Sequence, residues 1–427
     1  MSYNIGQEMH DLCKVLFPIC RSITGNGFRD SLAIINEHLP DLTTFEISSG
    51  TKCFDWEVPQ EWNIKEAYII DPFGKKLCDF NKSNLHVVGY STPVNKDVPL
   101  DILQNHLYSL PDQPDAIPYV TSYYNKMWGF CISDQERKTL KKGNYKVFID
   151  SELKKGSLTY GELIINGKKE DEIFISTYLC HPSMANNELS GPVVSTFLSK
   201  WLSSISNNYT YRIIFIPETI GAIVYLSQHL DELKRKVIAG FNLTCIGDNR
   251  TYSYLSSRMG DSLADKAALH VLKHIYPDFN SYSYSERQCD LRQYGSPGVD
   301  LPVCSIMRSK YGSYPEYHTS LDNLNLVTPD GLSGGYDVMK KIIEVIERNQ
   351  IYRTTVYCEP NLGKRGLYPT VSKRKSADKA RPMRNILAYS DGSNSLLDIA
   401  NILDTPMWQL MDYVNTLCKE RLLEFEK

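Results

Sequence analysis

The spacing of apolar residues changes along the chain and divides it into four stretches. Near the N-terminus, Leu12, Val15 and Leu16 recur at the spacing of a helix. From residue 50 to residue 154, short apolar runs are broken by prolines, which predicts a small β-rich domain. From Leu158 onward, strand-like apolar runs alternate with helical patterns. That alternation predicts an α/β fold with a mostly parallel sheet and helices on both faces.

The fourth stretch is the C-terminal one. A basic segment, residues 364–384, precedes two short helical patterns at residues 395–403 and 406–420 that are joined by a tight turn. This arrangement is typical of a helix-turn-helix or winged-helix domain. We therefore predict three domains, which are a core of residues 1–49 and 155–355, an inserted β-rich domain of residues 50–154, and a winged helix of residues 360–427.

Composition and charge narrow the classes of function. The 427 residues are 42% apolar and 23% charged, with a net charge of -3, as in an ordinary soluble globular protein. This net charge would not attract nucleic acid or an anionic membrane surface to the protein as a whole. The acidic residues of the C-terminal helices also disfavour DNA binding. No apolar run is long enough to span a membrane, so we expect a cytoplasmic protein. A homo-oligomer is one open alternative for its assembly. The eleven cysteines form no CxxC pair, which predicts reduced thiols.

Polar residues follow three of the predicted strands, at the edge where α/β sheets form their sites. His181 comes after the strand that ends at Leu179, and Glu218 comes after the strand that ends at Ile216. Asp248 comes after the strand that ends near Ile246. His318 lies in another polar loop. Two imidazoles from distant loops can bind a metal ion. The alternative is that each histidine only caps its loop by hydrogen bonding.

Three acidic residues are further candidates. Partial burial of Glu218 would raise its pKa toward the range of a general base, although an acid at the start of a helix is also favoured by the helix dipole. Glu188 equally fits the first turn of a helix, and Asp290 equally fits a surface ion pair. These alternatives stay open on the residues alone.

Taken in order, these residues resemble a known family. The chain contains His181, the run NELSG at residues 187–191, Glu218, the loop around Asp290, and His318. In this order they resemble the zinc aminopeptidases of the co-catalytic exopeptidase type, and more closely the bacterial aminopeptidase-like proteins often encoded with polysaccharide biosynthesis genes. The resemblance covers essentially the whole chain. It implies a zinc-exopeptidase-like core, an inserted β domain and a C-terminal winged helix.

The resemblance also implies roles for single residues. His181 matches one zinc histidine, and His318 matches the histidine of the other metal site. Glu218 matches the general base of the family. Asp290 matches an aspartate that belongs to the proton-transfer network in related cyclases.

Three departures from the family change the expected metal site. Asn187 stands where the family has a bridging aspartate, and Thr219 and Thr244 stand where it has further carboxylates. Neutral groups at these positions remove the charge that holds two zinc ions close together, so a single zinc ion is expected. Glu188, one residue after the bridging position, is expected to replace the lost carboxylate. The predicted ligands are His181, Glu188 and His318.

The predicted function is hydrolysis of an amide or peptide bond in a small aminoacyl or acylamino substrate. Zinc would polarise the carbonyl and lower the pKa of its water, Glu218 would pass the proton to the leaving amine, and Asp290 would orient the network. Asn187 would contact the substrate, and Arg308 would clamp its carboxylate or phosphate, unless Arg308 is a solvated or ion-paired surface group. The alternative is a catalytically silent ligand-binding or scaffold protein.

Overall fold

The computed structural model describes residues 4–367 and 380–425, so the middle of the basic segment 364–384 lies outside the described residues. The helices are α1 (Ile5–Leu16), α2 (Asn26–His38), α3 (Leu100–Gln104), α4 (Asp134–Lys138), α5 (Ser190–Ser203), α6 (Ile220–Lys236), α7 (Leu263–Ile275), α8 (Leu291–Tyr294), α9 (Pro329–Arg348), α10 (Arg381–Tyr389), α11 (Leu396–Ile402) and α12 (Met407–Lys419). A π-helical turn spans Ala185–Leu189.

The strands are β1 (Thr43–Ser48), β2 (Lys52–Cys53), β3 (Trp56–Glu57), β4 (Glu61–Ile70), β5 (Lys76–Leu77), β6 (Val94–Pro99), β7 (Leu107–Tyr108), β8 (Phe130–Cys131), β9 (Asn144–Lys154), β10 (Ser157–Ile165), β11 (Glu172–Tyr178), β12 (Thr210–Ile216), β13 (Val237–Leu243), β14 (Ser253–Leu255), β15 (Asn280–Tyr282), β16 (Val303–Met307), β17 (Ile351–Thr354), β18 (Asp391–Ser395) and β19 (Leu423–Phe425). None of the described helices is both long enough and apolar enough to cross a membrane.

The chain forms two compact units. Within the described residues, the first comprises residues 4–264 and 280–337, and the second comprises the remainder. Residues 265–279 group with the second unit, although the predicted core includes them. The finer division into three domains stays a prediction.

An eight-stranded mixed sheet forms the centre of the first unit, in the order β1-β10-β12-β11-β13-β16-β14-β15. Its four central strands, β12, β11, β13 and β16, run parallel to one another. On one side, β10 pairs antiparallel with β12, and β1 pairs antiparallel with β10. Every residue of β11 and β12 is buried, as expected for strands that are covered on both faces. The predicted α/β fold is confirmed.

Two βαβ crossovers place the site. Helix α5 connects β11 to β12, and α6 connects β12 to β13. Because these three strands are parallel, their carboxyl ends lie at one edge of the sheet. The loops that follow β11 and β12 at this edge carry His181, Asn187, Glu188 and Glu218.

A separate antiparallel sheet, β5-β4-β9-β6, forms within residues 61–154. Along β9, buried Tyr145, Val147 and Ile149 alternate with more exposed residues. They pack with Ala67 and Ile69 of β4 in one apolar cluster. The alternation gives this sheet one buried face, which is the pattern of an antiparallel sheet with a core of its own.

The second unit contains the predicted winged helix. Helices α10, α11 and α12 combine with the antiparallel sheet β18-β17-β19. Leu396, Ile399, Leu410, Val414 and Leu417 are buried on the facing sides of α11 and α12. Their spacing of three or four residues is the apolar stripe of a helix packed on a core.

Candidate active site

The carboxyl ends of β11 and β12 bring two predicted residues together. The pairing of the two strands continues beyond β11, since Leu179 N donates to Ile216 O at 2.9 Å. His181 and Glu218 follow immediately after this pairing. Their side chains meet, with His181 Nε2 lying 3.4 Å from Glu218 Oε2.

His181 is buried and is held from two sides. Its Nδ1 lies 2.6 Å from Oε2 of Glu188, a close contact that is not aligned as a hydrogen bond. The other oxygen of Glu188, Oε1, accepts the backbone N–H groups of His181, at 2.7 Å, and of Cys180. Arg21, also buried, donates from Nε to the carbonyl of His181 at 3.0 Å. Glu188 therefore fixes both the ring and the backbone of His181.

Neighbouring charges shift the pKa of His181. Burial disfavours the imidazolium, but the Glu188 carboxylate outweighs burial and raises the pKa of His181 well above its ordinary value. The two side chains therefore form an imidazolium–carboxylate pair that a cation can replace, because a metal ion competes with the proton for the same atoms.

The π-helical turn Ala185–Leu189 separates the roles of two adjacent residues. Such a turn inserts one residue into a helix, and it often occurs at functional sites. Glu188 contacts His181, whereas Asn187 donates from Nδ2 to the hydroxyl of Tyr178 at 3.1 Å. The loop thus presents a carboxylate to the histidine from position 188.

Neutral hydrogen bonds surround the side chain and the carbonyl of Asn187. Thr244 Oγ1 donates to the carbonyl of Asn187 at 2.8 Å, and it lies 2.6 Å from the hydroxyl of Tyr178. All three residues are buried. Their side chains carry no formal charge, so these three residues supply no carboxylate for a second metal ion.

Asp290 lies fully buried beside Glu218. Its Oδ1 accepts the N–H of Thr219 at 2.6 Å, and its Oδ2 has no hydrogen-bond partner among the described residues. Burial, followed by the negative charge of Glu218, raises the pKa of Asp290 well above its ordinary value. Thr219 has a left-handed φ of 64°, which is strained for a β-branched residue. Arg292 donates to the Thr219 hydroxyl at 2.6 Å and holds this turn from outside.

His318 reaches the same place from a different loop. Its ring centroid is 5.3 Å from that of His181, and it stacks on Tyr317 at 3.9 Å. Burial, followed by the charge of His181, lowers the pKa of His318 to about 3. The ring is therefore neutral, which is the form in which imidazole binds metals. Its Nε2 is buried and has no hydrogen-bond partner in the described chain.

Tyr119 is a site residue that the sequence analysis missed. Its ring lies 4.9 Å from that of His181 and 5.2 Å from that of His318. Its backbone N–H donates to the carbonyl of His318 at 2.9 Å, and its hydroxyl lies 2.9 Å from that of Tyr123. No local pattern marks Tyr119, because only the bridge between Pro118 and residue 319 brings it here.

Asp322 is a second missed residue, and it anchors the π-helical turn. Its fully buried carboxylate accepts the backbone N–H groups of residues 185–187 at 2.6 to 3.1 Å. It also accepts the hydroxyl of Tyr314 at 3.0 Å. The available signal was its position four residues after His318, in the same polar loop.

The donor atoms fit one metal ion better than two. Cys180, His181 and Glu188 form the one set of three His, Cys, Asp or Glu residues, within the described part of the chain, whose donor atoms all lie within 4.8 Å. His318 faces His181 but lies outside that set. Glu188 Oε2 and His318 Nε2 are both buried without a hydrogen-bond partner. Burial raises the pKa of Cys180 to about 12, so its thiol stays neutral.

Arg308 lies away from these residues. Its guanidinium stacks over Tyr252 at 4.2 Å, and its backbone N–H donates to the carbonyl of Cys245 at 2.8 Å. It lines a cavity of about 290 Å³ whose lining includes none of the predicted catalytic or metal-binding residues. The structure does not bring Arg308 to His181.

Two family models match this chain. Residues 10–349 match the family described as a domain of unknown function, DUF4910, and residues 350–425 match a winged helix-turn-helix family. A protein of Clostridium acetobutylicum, provisionally named for polysaccharide biosynthesis and an aminopeptidase-like domain, is 46% identical over 401 residues. The match covers 93% of this chain and 92% of that protein.

Solved structures share the fold. A Clostridium acetobutylicum crystal structure, provisionally described as a peptidase, has a TM-score of 0.93 at 43% identity and covers 99% of this chain and 96% of that chain. A Bacillus subtilis zinc aminopeptidase has a TM-score of 0.58 at 13% identity and covers 80% and 94%. A Shewanella amazonensis peptidase M28 precursor has the same score and identity and covers 83% and 97%. The predicted resemblance is confirmed, and the two distant matches establish the fold alone.

Proposed function

Because the chain belongs to the DUF4910 family and has the fold of the zinc aminopeptidases, we propose that it hydrolyses an amide or peptide bond with one zinc ion. The observation that carries the proposal is Nε2 of His318, a buried nitrogen without a hydrogen-bond partner on a neutral ring that faces His181. Leaving such an atom unsatisfied costs about 1–3 kcal/mol, which a ligand at this position would recover.

His181, Glu188 and His318 would hold the ion. Zinc takes imidazole nitrogens and carboxylate oxygens, and catalytic sites combine three protein ligands with an open position. The unpartnered Nε2 of His318 supports this set, as does Oε2 of Glu188, which lies against His181 Nδ1 without an aligned hydrogen bond. When bound, the ion supplies a Lewis acid for the carbonyl of the scissile amide.

Glu218 would move the proton. Its side chain is 21% exposed, so it reaches solvent while it lies 3.4 Å from His181 Nε2. A carboxylate in this position can take a proton from water and deliver it to the leaving amine. Asp290, whose raised pKa favours its neutral form, adds no second negative charge beside Glu218.

Aromatic rings favour a small substrate. Tyr119 packs against both imidazoles, and Tyr317 stacks on His318. Rings this close to both imidazoles would favour a compact substrate, such as an aminoacyl or acylamino amide. The name of the Clostridium acetobutylicum relative favours an acylamino group on a sugar precursor.

A second candidate is a ligand-binding protein without catalytic activity. The observation that favours it is the neutral network of Asn187, Thr244 and Tyr178. Asn187 and Thr244 lie at positions where the resemblance to the zinc aminopeptidases implies carboxylates. In this case the pocket would bind a polar ligand through these groups and would not hydrolyse it.

Metal analysis combined with an activity panel distinguishes the two candidates. We expect about one zinc ion per chain in the purified full-length protein, and hydrolysis of at least one aminoacyl or acylamino-sugar amide. A chelator should abolish this activity, and added zinc should restore it. Absence of zinc, with no activity after zinc is added, would favour the silent ligand-binding protein.

A further inference from the structure

A second cavity, separate from the hydrolytic site, is lined by three cations. It has a volume of about 290 Å³ and lies beside the loop that follows β16. The cations are Arg250, Arg308 and Lys310. We infer that this cavity binds the phosphate group of a small phosphorylated ligand.

Aromatic rings hold two of the three cations. Arg308 Cζ lies 4.2 Å from the ring centroid of Tyr252, and Lys310 Nζ lies 5.1 Å from the rings of both Tyr282 and Tyr311. Within the described residues, neither cation makes an ion pair with a carboxylate. A ring positions a cation without cancelling its charge. Both positive charges therefore remain available at the cavity.

The nearby carboxylates are engaged elsewhere. Glu316 accepts two hydrogen bonds from Arg250, at 2.9 and 3.2 Å. Asp248 accepts the backbone N–H groups of Arg250, at 2.7 Å, and of Ser309, at 3.1 Å. It also accepts the side-chain amide of Asn186 at 2.8 Å. Glu316 and Asp248 therefore place two negative charges against the three cations, which leaves the cavity with a net positive charge.

Two buried polar atoms beside the cavity have no hydrogen-bond partner in the described chain. They are Oγ of Ser253, which is 1% exposed, and Nε of Arg308. The two are neighbours because Ser253 of β14 pairs with Met307 of β16, the residue before Arg308. Buried donors are normally satisfied. Their position at a cavity indicates that a ligand supplies the acceptors.

Phosphate is the acceptor that fits this set. A guanidinium fork binds two phosphate oxygens side by side, an ammonium group adds a point charge, and a serine hydroxyl bonds a third oxygen. The cavity is close to the lower limit of small-molecule pockets, about 300 Å³. It therefore has room for a phosphate group and part of the molecule that carries it.

Calorimetric titration of the full-length protein tests the inference. The titrants are inorganic phosphate, glucose 1-phosphate and acetate, all with a chelator present so that no phosphate binds through zinc. We expect a phosphate compound to bind more tightly than acetate. Tighter binding of inorganic phosphate would identify the free ion as the occupant, and tighter binding of glucose 1-phosphate would identify an organic phosphate. Acetate binding as tightly as either phosphate would overturn the inference.

Two variants and a matched control locate the binding. Arg308→Gln should weaken phosphate binding by at least about tenfold, because a charge-assisted bond is lost. Ser253→Ala should weaken it about threefold or more without lowering the Tm, since its hydroxyl has no partner to lose. Arg235→Gln, on the exposed surface of α6, should leave binding unchanged. Unaltered binding in Arg308→Gln would contradict the assignment. The titration needs no turnover, so its result is independent of the proposed hydrolysis.

Discussion

Two clusters of buried charge lie at opposite ends of β11 and β12. At the amino ends, Arg212 donates from Nε and Nη2 to Glu172 at 2.6 and 2.9 Å and from Nη1 to Glu162 at 3.0 Å. Burial alone would lower the pKa of Arg212, but the hydrogen bonds to Glu172 outweigh it and raise the pKa. In this cluster the guanidinium meets carboxylates in a fork geometry that satisfies both partners.

The cluster at the carboxyl ends is incomplete. Glu188 Oε2, Asp290 Oδ2 and His318 Nε2 are buried without hydrogen-bond partners in the described chain. Unsatisfied buried atoms cost stability, so the carboxyl-end cluster does not stabilise the sheet as the amino-end cluster does. Its unsatisfied atoms are instead the ones that the proposed ligand would contact. Substitutions at the two ends should therefore have different consequences.

The largest effect is expected at the amino-end cluster. Arg212→Met should lower the free energy of unfolding by about 3–5 kcal/mol, because buried Glu172 loses both guanidinium hydrogen bonds and keeps only the more distant Lys236, at 3.9 Å. Urea unfolding followed by circular dichroism measures the change. The control Arg235→Gln, on the exposed surface of α6, should change stability by less than about 0.5 kcal/mol. A loss below about 1 kcal/mol for Arg212→Met would show that this cluster does not stabilise the sheet.

Glu218→Gln should impair catalysis without impairing the fold. Loss of a general base should reduce kcat/KM by about 100-fold or more, as measured on the best amide of the panel. Stability should hardly change, because the side chain is partly exposed. Glu232→Gln, at the rim of the amino-end cluster, is the matched control and should retain activity. Full activity in Glu218→Gln would move the base to another residue.

His318→Phe should remove metal at a small cost in stability. The substitution deletes a nitrogen that has no hydrogen-bond partner in the described part of the protein. With a chelator present, the free energy of unfolding of the variant should therefore lie within about 1 kcal/mol of that of the parent protein. Bound zinc, measured by mass spectrometry, should fall at least about tenfold. His106→Phe, which alters a histidine stacked on Trp128, should keep its zinc. Equal zinc content in both variants would exclude His318 as a ligand.

The smallest effect is a change in the pH dependence of stability. The pKa of Asp290 in the folded protein is raised well above 3.8, the ordinary value that it has in the unfolded chain. Protonated Asp290 therefore stabilises the folded state at low pH. This contribution to the free energy of unfolding is lost as the pH rises through the pKa of the folded state. Asp290→Asn stays neutral and should reduce this loss. Unfolding of chelated protein at about pH 5 and pH 8 measures it. The control Asp11→Asn, at an exposed side chain, should show the same loss of stability between the two pH values as the parent protein. If Asp290→Asn also shows that loss unchanged, Asp290 is ionised in the folded protein.

The fold and the edge of the site could be predicted because both depend on local pattern. Fully apolar runs mark β11 and β12, and the residues that follow parallel strands must emerge at one edge. His181 and Glu218 were found in this way. Local pattern also marked His318 and Asp290 as candidates, and the resemblance added their expected roles.

The remaining features depend on distant segments. Tyr119 enters the site only because residues 117–119 pair with the loop of His318. Arg308 was expected over the substrate, but its stacking on Tyr252 draws it to another cavity. Neither ring contact has a signature in the neighbouring sequence. The same holds for the anchoring of the π-helical turn by Asp322.

The neutral network around Asn187 has a consequence for redesign of the site. A carboxylate at position 187 would lose the amide donor to the hydroxyl of Tyr178 and would place a charge beside buried Thr244. A single carboxylate substitution at position 187 or 244 is therefore expected to be destabilising, because it buries a charge without a partner. A site for a second cation would need several of these positions to be changed together.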